Sequence, residues 1–182
     1  NLPDLNQVKS YYGIDFESFG IALFHPITTE LNQLEKDVKT YVDALLASQK
    51  NYVMVYPNND TGSNIILEEL QRVRGHENFR LFPSLRFEYF LTLLKNAEFI
   101  IGNSSAGVRE APYYGVPTIN IGSRQNKRAM ADSILNCHCN KEEILNAFNS
   151  LDQSDRTHTN NKEFGQTGAA QHFLEVLKSD QI

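Results

Sequence analysis

Between Glu98 and Gly122 the chain runs Glu98-Phe-Ile-Ile-Gly102-Asn-Ser104-Ser105-Ala-Gly-Val-Arg-Glu110-Ala-Pro-Tyr-Tyr-Gly115-Val-Pro117-Thr-Ile-Asn-Ile-Gly122. This reads as a buried strand, a small-residue turn, a helix carrying one acid, a glycine stop and a second buried strand. Short, continuously apolar strands joined through a helix belong in a parallel sheet with both faces covered. A helix that opens on two serines at the end of such a strand presents free backbone N–H groups and the positive end of its dipole, where phosphate binds. Glu110, two turns into the same helix, is placed to accept hydrogen bonds from a ribose diol. Together these features suggest a nucleotide-diphosphate site.

The rest of the chain repeats the pattern. Phe19–Phe24 is a second short apolar run, ended by His25-Pro26. From about Thr29 to Ala47, Leu31, Leu34, Val38, Tyr41, Val42, Leu45 and Leu46 recur at helical spacing, with Thr28 or Thr29 as the expected cap. Tyr52–Tyr56 is a strand, and Pro57–Gly62 a turn. Ser63 or Asn64 then caps a helix with Ile66, Leu70 and Val73 on its inner face. Phe79–Phe82 reads as a strand, Phe87–Asn96 as a helix, Phe99–Ile101 and Pro117–Ile121 as strands. Asn140 with Glu143 opens a helix from Lys141 to about Asn149, and a last helix covers Ala169 to Leu177. Asp152–Asn161 is read as loop. At least five alternations of strand and helix give the fold class α/β, a doubly wound parallel, Rossmann-like sheet. Ligands of such sheets sit beyond the carboxyl ends of the strands. His25, the Asn58–Ser63 turn, Gly102–Ser105 and Gly122–Arg128 all fall there.

Bulk properties narrow the partners. A chain of 182 residues fits one domain with a core of its own. The net charge of -5 excludes a general nucleic-acid surface but allows a local basic pocket. No apolar run is long enough to span a membrane, no signal peptide is visible, and the two cysteines, Cys137 and Cys139, lack the spacing of a zinc or redox motif. They are read as two small residues on one face of a short strand, in a reduced, cytoplasmic protein. No motif requires a cofactor or a metal: the P-loop and the G-x-G-x-x-G fingerprint are both missing. The start at Asn1, in a polar segment with Pro3, Asp4 and Asn6, reads as an interdomain linker over residues 1–17. Residues 18–182 would form the binding domain of a longer protein.

Each candidate residue has a bland alternative. Ser104 and Ser105 either cap a helix or cradle phosphate, and the small Ala106 and Gly107 leave room for a ligand oxygen. Glu110 is either a helix-surface carboxylate or a ribose acceptor. Arg124, Lys127 and Arg128 form a solvated loop or an anion clamp. His25 donates to a backbone carbonyl or to a phosphate. Phe87 and Phe90 pack as aromatics or wall a base. No pair of acids at a telling spacing marks a general acid/base site, so complete catalytic machinery is not expected in this chain.

The series Gly102-Asn-Ser-Ser-Ala-Gly-Val-Arg-Glu-Ala-Pro112 and Gly115-Val-Pro-Thr-Ile-Asn-Ile-Gly-Ser-Arg-Gln125 closely resembles the UDP-N-acetylglucosamine 2-epimerase family, nearest to its hydrolysing, sialic-acid-pathway members. His25-Pro26-x-Thr28-Thr29, Pro57-Asn58-x-Asp60-x-Gly62-Ser63 and Phe164-Gly165-x-x-Gly168-x-Ala170 agree in order and spacing, so the resemblance covers nearly the whole chain. It implies the C-terminal half of a two-domain GT-B fold, facing a cleft closed by the protein's own N-terminal domain, and a homodimer of the whole enzyme. It further implies a UDP site in which Ser104 and Ser105 hold the diphosphate, Glu110 holds the ribose and His25 approaches the phosphates at the scissile end. Phe90 and the backbone near Leu85 would border the uracil, with Asn58 and Arg124 lining the cleft. The family's acid/base carboxylates would lie in the other domain. The implied reaction eliminates UDP from UDP-N-acetylglucosamine to give 2-acetamidoglucal, and water then adds to yield N-acetylmannosamine. The family pattern has glycine where this chain has Lys127. A diacetamido-sugar substrate, a non-hydrolysing epimerase, a GT-B glycosyltransferase and a non-catalytic nucleotide module are the alternatives.

Overall fold

Short segments rich in β-branched and aromatic residues, some interrupted by a polar one, are too short for a buried helix, and here they become strands β1 (Gly20–Leu23), β2 (Tyr52–Val55), β3 (Phe79–Phe82), β4 (Ile100–Gly102), β5 (Thr118–Ile121) and β6 (Ile134–Cys137). The computed structural model describes residues 2–125, 128, 131–151 and 168–178. The segment 152–161, Phe164, Gly165 and Lys127, all singled out above, lie outside the described residues. The six strands form one sheet, every pairing parallel, in the order β3-β2-β1-β4-β5-β6. This is the doubly wound order, and the chain reverses direction across the sheet between β1 and β4.

Helices α1 (Leu5–Tyr12), α2 (Leu31–Ser48), α3 (Ser63–Leu70), α4 (Phe87–Asn96), α5 (Glu110–Tyr113), α6 (Lys141–Leu151) and α7 (Ala169–Lys178) accompany the strands. Alternation along each strand divides the core in two. Ala22, Phe24, Tyr52, Met54 and Ile101 face α2, α3 and α6 through Val38, Tyr41, Leu45, Ile66, Ile144 and Phe148. Ile21, Leu23, Val53 and Ile100 face α1, α4 and α5 through Val8, Leu93, Leu94 and Ala111. The central strands β1, β4 and β5 are buried throughout, whereas the edge strands β3 and β6 are partly exposed. Among the described residues no helix is long and apolar enough to cross a membrane.

Four local expectations change. Within residues 1–17, the polar sequence contains helix α1: Asp4 Oδ1 accepts the N–H groups of Asn6 (2.9 Å) and Gln7 (3.2 Å), Gly13 ends it in the left-handed conformation, and Val8 is wholly buried. Neither Thr28 nor Thr29 caps α2. Glu30 takes that position without a side-chain cap bond, its carboxylate accepting the Ser123 hydroxyl at 2.6 Å instead. Gly62, rather than Ser63 or Asn64, holds the capping position of α3. Cys137 ends β6 while Cys139 lies past it, so the two share a core face but not a strand. Burial pushes their free thiols up to about 11 and about 12, leaving both poor nucleophiles at neutral pH. Asn140 does cap α6 as expected, its Oδ1 accepting from the N–H of Glu142 and Glu143.

Candidate functional site

Between Gly102 and Gly115 the chain does not form one helix. Ser105–Gly107 form a 3-10 turn, the chain breaks at Val108-Arg109, and α5 starts afresh at Glu110. Pro112 supplies the reason: it has no N–H to give to the carbonyl of Val108, and its ring would collide there, so a continuous helix from Ser105 is forbidden. Gly107 adds a packing reason for the tight turn. Its carbonyl accepts the Thr118 hydroxyl at 2.6 Å, and a Cβ on it would come within 2.8 Å of the Thr118 methyl. Glu110 therefore sits on the first turn of a separate short helix rather than two turns into a shared one.

The break does not scatter the candidates. Beyond the carboxyl ends of β3, β2, β1 and β4 lies a cleft of about 450 Å³, and His25, Asn58, Leu85, Phe90, Ser104, Ser105 and Glu110 all line it. Seven of the eight expected residues thus meet in one place, at the topological switch point. Its walls differ in chemistry. Val55, Pro83, Leu85, Phe87 and Phe90 make one end apolar, suited to a planar base. His25, Asn58, the two serines and Glu110 make the other end polar. The eighth residue, Arg124, stands beside that polar end and donates from Nη1 to the carbonyl of Asn103 at 3.2 Å. Burial lowers its pKa, as does the neighbouring Arg128, while Asp60 acts the other way.

The two serines have different structural duties. Ser104 is the cap: its Oγ accepts the Ala106 N–H at 3.3 Å. Ser105 begins the turn, and its carbonyl accepts the N–H of Val108 (3.1 Å) and Arg109 (2.9 Å). Gly102 makes the approach to this turn feasible. Its φ is +133°, and a Cβ there would lie 1.8 Å from the Leu23 carbonyl oxygen of the adjacent strand. Only glycine tolerates both the dihedral and the contact.

His25 is held from three directions. Its backbone N–H donates to Asn103 Oδ1 (2.7 Å), and its carbonyl accepts from Asn103 Nδ2 (2.8 Å). Its ring Nδ1 accepts the backbone N–H of Asn58 at 3.2 Å. An acceptor at Nδ1 places the ring proton of neutral imidazole on Nε2, which becomes a donor. Burial, with Arg124 nearby, lowers the pKa from 6.5 to about 4, against the opposing pull of Asp60 and the Asn58 contact. The ring is neutral at pH 7, able to donate to an anion without carrying a charge of its own. Asn58 also holds Asp60, its Nδ2 donating to Oδ2 at 2.5 Å, which fixes the turn after β2.

Sequence reasoning missed Asn103 and Gln125. Both are buried, and Gln125 Nε2 donates to the Asn103 carbonyl at 2.9 Å. The available signal was an amide directly after the strand-ending glycine, where the surrounding residues are small or apolar.

The comparisons agree with this architecture. The UDP-N-acetylglucosamine 2-epimerase family profile matches residues 2–178. A protein of Neisseria meningitidis serogroup B named UDP-N-acetylglucosamine 2-epimerase is 44% identical over 183 residues, covering 99% of this chain and 48% of that protein. A Legionella pneumophila protein named UDP-N,N'-diacetylbacillosamine 2-epimerase (hydrolyzing) is 28% identical over 155 residues, covering 79% of this chain and 41% of that protein. Among solved structures, a Neisseria meningitidis UDP-GlcNAc 2-epimerase bound to UDP-GlcNAc superposes with a TM-score of 0.76 at 16% identity, covering 94% of this chain and 48% of that one. At such identity the likeness is one of fold. The chain spans about half the length, or less, of these relatives. Fold, motif order and a match along nearly its whole length together place the chain in the UDP-N-acetylglucosamine 2-epimerase family.

Proposed function

We propose that this chain is the UDP-binding half of a hydrolysing 2-epimerase, which converts UDP-N-acetylglucosamine and water to N-acetylmannosamine and UDP. The observation that carries the reading is the convergence of seven expected ligand residues on one cleft with an apolar and a polar end. The uracil would lie between Leu85 and Phe90, the ribose hydroxyls would donate to Glu110, and the diphosphate would rest on Ser104, Ser105, His25 and Arg124. As the bond from the sugar C1 to the phosphate oxygen breaks, negative charge accumulates on the diphosphate. The Nε2–H of His25, the serine hydroxyls and the Arg124 guanidinium stabilise that charge from fixed positions. Proton removal at C2 and the later addition of water need acid/base groups, which the reading assigns to an N-terminal domain closing over the cleft. The whole enzyme would act in the cytoplasm as a homodimer.

The hydrolysing subtype is supported by the Legionella relative, whose name specifies it. The non-hydrolysing outcome is the second reading, favoured by the plain epimerase name of the 44% identical Neisseria protein. Incubating the intact gene product with UDP-N-acetylglucosamine, without any acceptor, separates them. Free UDP together with N-acetylmannosamine is expected. Accumulation of UDP-N-acetylmannosamine would assign the non-hydrolysing reaction, and no turnover of either kind would remove the enzyme reading. Replacing the substrate with its diacetamido analogue in the same assay tests sugar choice.

A further inference from the structure

We propose that Asn103 is a positioning residue that sets both anion-binding side chains, His25 and Arg124, from a single point; the proposal rests on the UDP reading of the cleft. β1 and β4 pair in register as far as Leu23 and Gly102, and the Asn103 N–H still reaches the Leu23 carbonyl at 3.1 Å. Beyond that point the two strands part, because the sheet's connections diverge at the switch point. The Asn103 side chain continues the pairing where the backbone cannot. Its carboxamide accepts from the N–H of His25 and donates to the carbonyl of the same residue, a reciprocal pair at 2.7 and 2.8 Å. Both backbone groups of His25 are thereby fixed, and with them the direction of its Cα–Cβ bond. The Asn58 N–H then sets the rotation of the ring.

The backbone of Asn103 performs the second task. Its carbonyl accepts from Arg124 Nη1 (3.2 Å) and from Gln125 Nε2 (2.9 Å), drawing the loop after β5 against the end of β4. Gln125 is buried and its Oε1 also accepts from Arg128 Nη1 at 3.4 Å, so the amide ties the arginine-bearing loop to Asn103. A wholly buried amide with its side chain and carbonyl both engaged has no freedom to drift. Positions held in this way govern how well charged donors meet an anion, since misplacement by a fraction of an ångström weakens each such bond. None of these contacts involves Leu85, Phe87 or Phe90 at the base end. Asn103 should therefore act on phosphate recognition and leave base recognition alone.

That separation supplies the test. UDP and uridine share base and ribose, and only UDP carries the diphosphate that would meet His25, Arg124 and the two serines. Affinities for both are measured by calorimetry on the intact gene product, in the wild type, Asn103→Ser and Gln125→Met. Wild type is expected to prefer UDP. Asn103→Ser should weaken UDP by about tenfold, and Gln125→Met, which keeps the volume but loses the donor, by about threefold; uridine should change less than about twofold in either. With selective ¹⁵N-histidine labelling, the UDP-induced shift of the His25 ring nitrogens should shrink in Asn103→Ser. Should Asn103→Ser not fold, Gln125→Met carries the comparison. Equal losses for UDP and uridine would mean a general role in holding the cleft and would overturn the proposal. So would variants that keep the full preference for UDP. A wild type that binds UDP no better than uridine would instead refute the UDP reading beneath it.

Discussion

At the scale of single residues, the polar end of the cleft concentrates groups whose geometry permits few substitutes. Gly102→Ala would force a side chain into the left-handed region and onto the Leu23 carbonyl of the neighbouring strand. A destabilisation of about 3–5 kcal/mol, or failure to accumulate, is expected from strain and overpacking together. Urea unfolding measures it, and a loss under 1 kcal/mol would show that the strand ends can part without cost. His25 gives a pH signature. Its pKa falls from 6.5 to about 4 on folding, so between those values the unfolded chain binds the proton and the native chain does not. Stability therefore rises with pH across that window, is fully present above about 6.5, and is lost as pH falls toward 4, by on the order of 3 kcal/mol from this group alone. The pH dependence of urea unfolding should flatten correspondingly in His25→Gln. UDP at the same site would favour the charged ring, so its binding near pH 5.5 should take up protons. Calorimetry in buffers of different ionisation enthalpy, read as the difference between wild type and His25→Gln, detects that uptake. Glu110→Gln keeps the shape of the side chain but removes the charge. UDP affinity should fall about tenfold with the melting temperature unchanged, as expected for hydrogen bonds to a charged acceptor. Unchanged affinity with a lowered melting temperature would make Glu110 structural.

At the scale of elements, the apolar end of the cleft, where the proposed reading puts the base, depends on a helix the sequence disguised. The Tyr12 hydroxyl, at the end of α1, accepts the backbone N–H of Arg86 at 3.0 Å, and its ring meets Phe82 and Tyr89 edge-on. Arg86 immediately precedes α4, in the loop whose Pro83, Ser84 and Leu85 wall the cleft. Tyr12→Phe removes the acceptor and keeps the ring. It should cost about 1 kcal/mol of stability and weaken uridine and UDP by the same factor, the opposite pattern to that expected of Asn103→Ser. A selective loss of UDP would contradict this placement of the base. Strand and helix order were readable because short segments rich in aromatic and β-branched residues alternate with helical spacing, and β3, α4 and the Asn140 cap of α6 needed nothing more. What escaped depended on distant partners. Leu5–Tyr12 is half polar, and becomes helical through the Asp4 cap and the burial of Val8 against the core that includes Leu93 and Leu94. The break between Ser105–Gly107 and Glu110 was announced by Pro112, but the small residues before it also suited a longer helix. Asn103 and Gln125 take their meaning from each other and from His25, a contact across 78 residues of chain that no local spacing encodes.

At the scale of the whole molecule, the sheet turns a linear motif series into a polarised surface. Parallel pairing sends the turns after β1, β2, β3 and β4 to the same edge, and the doubly wound order opens the gap between β1 and β4 in which a ligand can lie. The net charge of -5 repels an anion at long range, so local cations matter more; among the described residues, Arg124 stands close to the polar end with Arg128 beside it. Under the proposed reading, the cleft supplies walls for a base, a ribose acceptor and anion donors, which together would account for a nucleoside diphosphate and leave the sugar to other surfaces. This division predicts the pattern of product inhibition in the intact gene product. UDP should compete with UDP-N-acetylglucosamine and inhibit at concentrations near KM, because most of the substrate's binding contacts survive in it. N-acetylmannosamine, which would touch little of this cleft, should inhibit only at concentrations about a hundredfold higher or more, a gap of nearly 3 kcal/mol in affinity. Initial rates over a grid of substrate and each product decide the matter. Inhibition by UDP that is not competitive would place its tight site elsewhere. Comparable inhibition by the free sugar would show that the binding energy is not concentrated at these four strand ends.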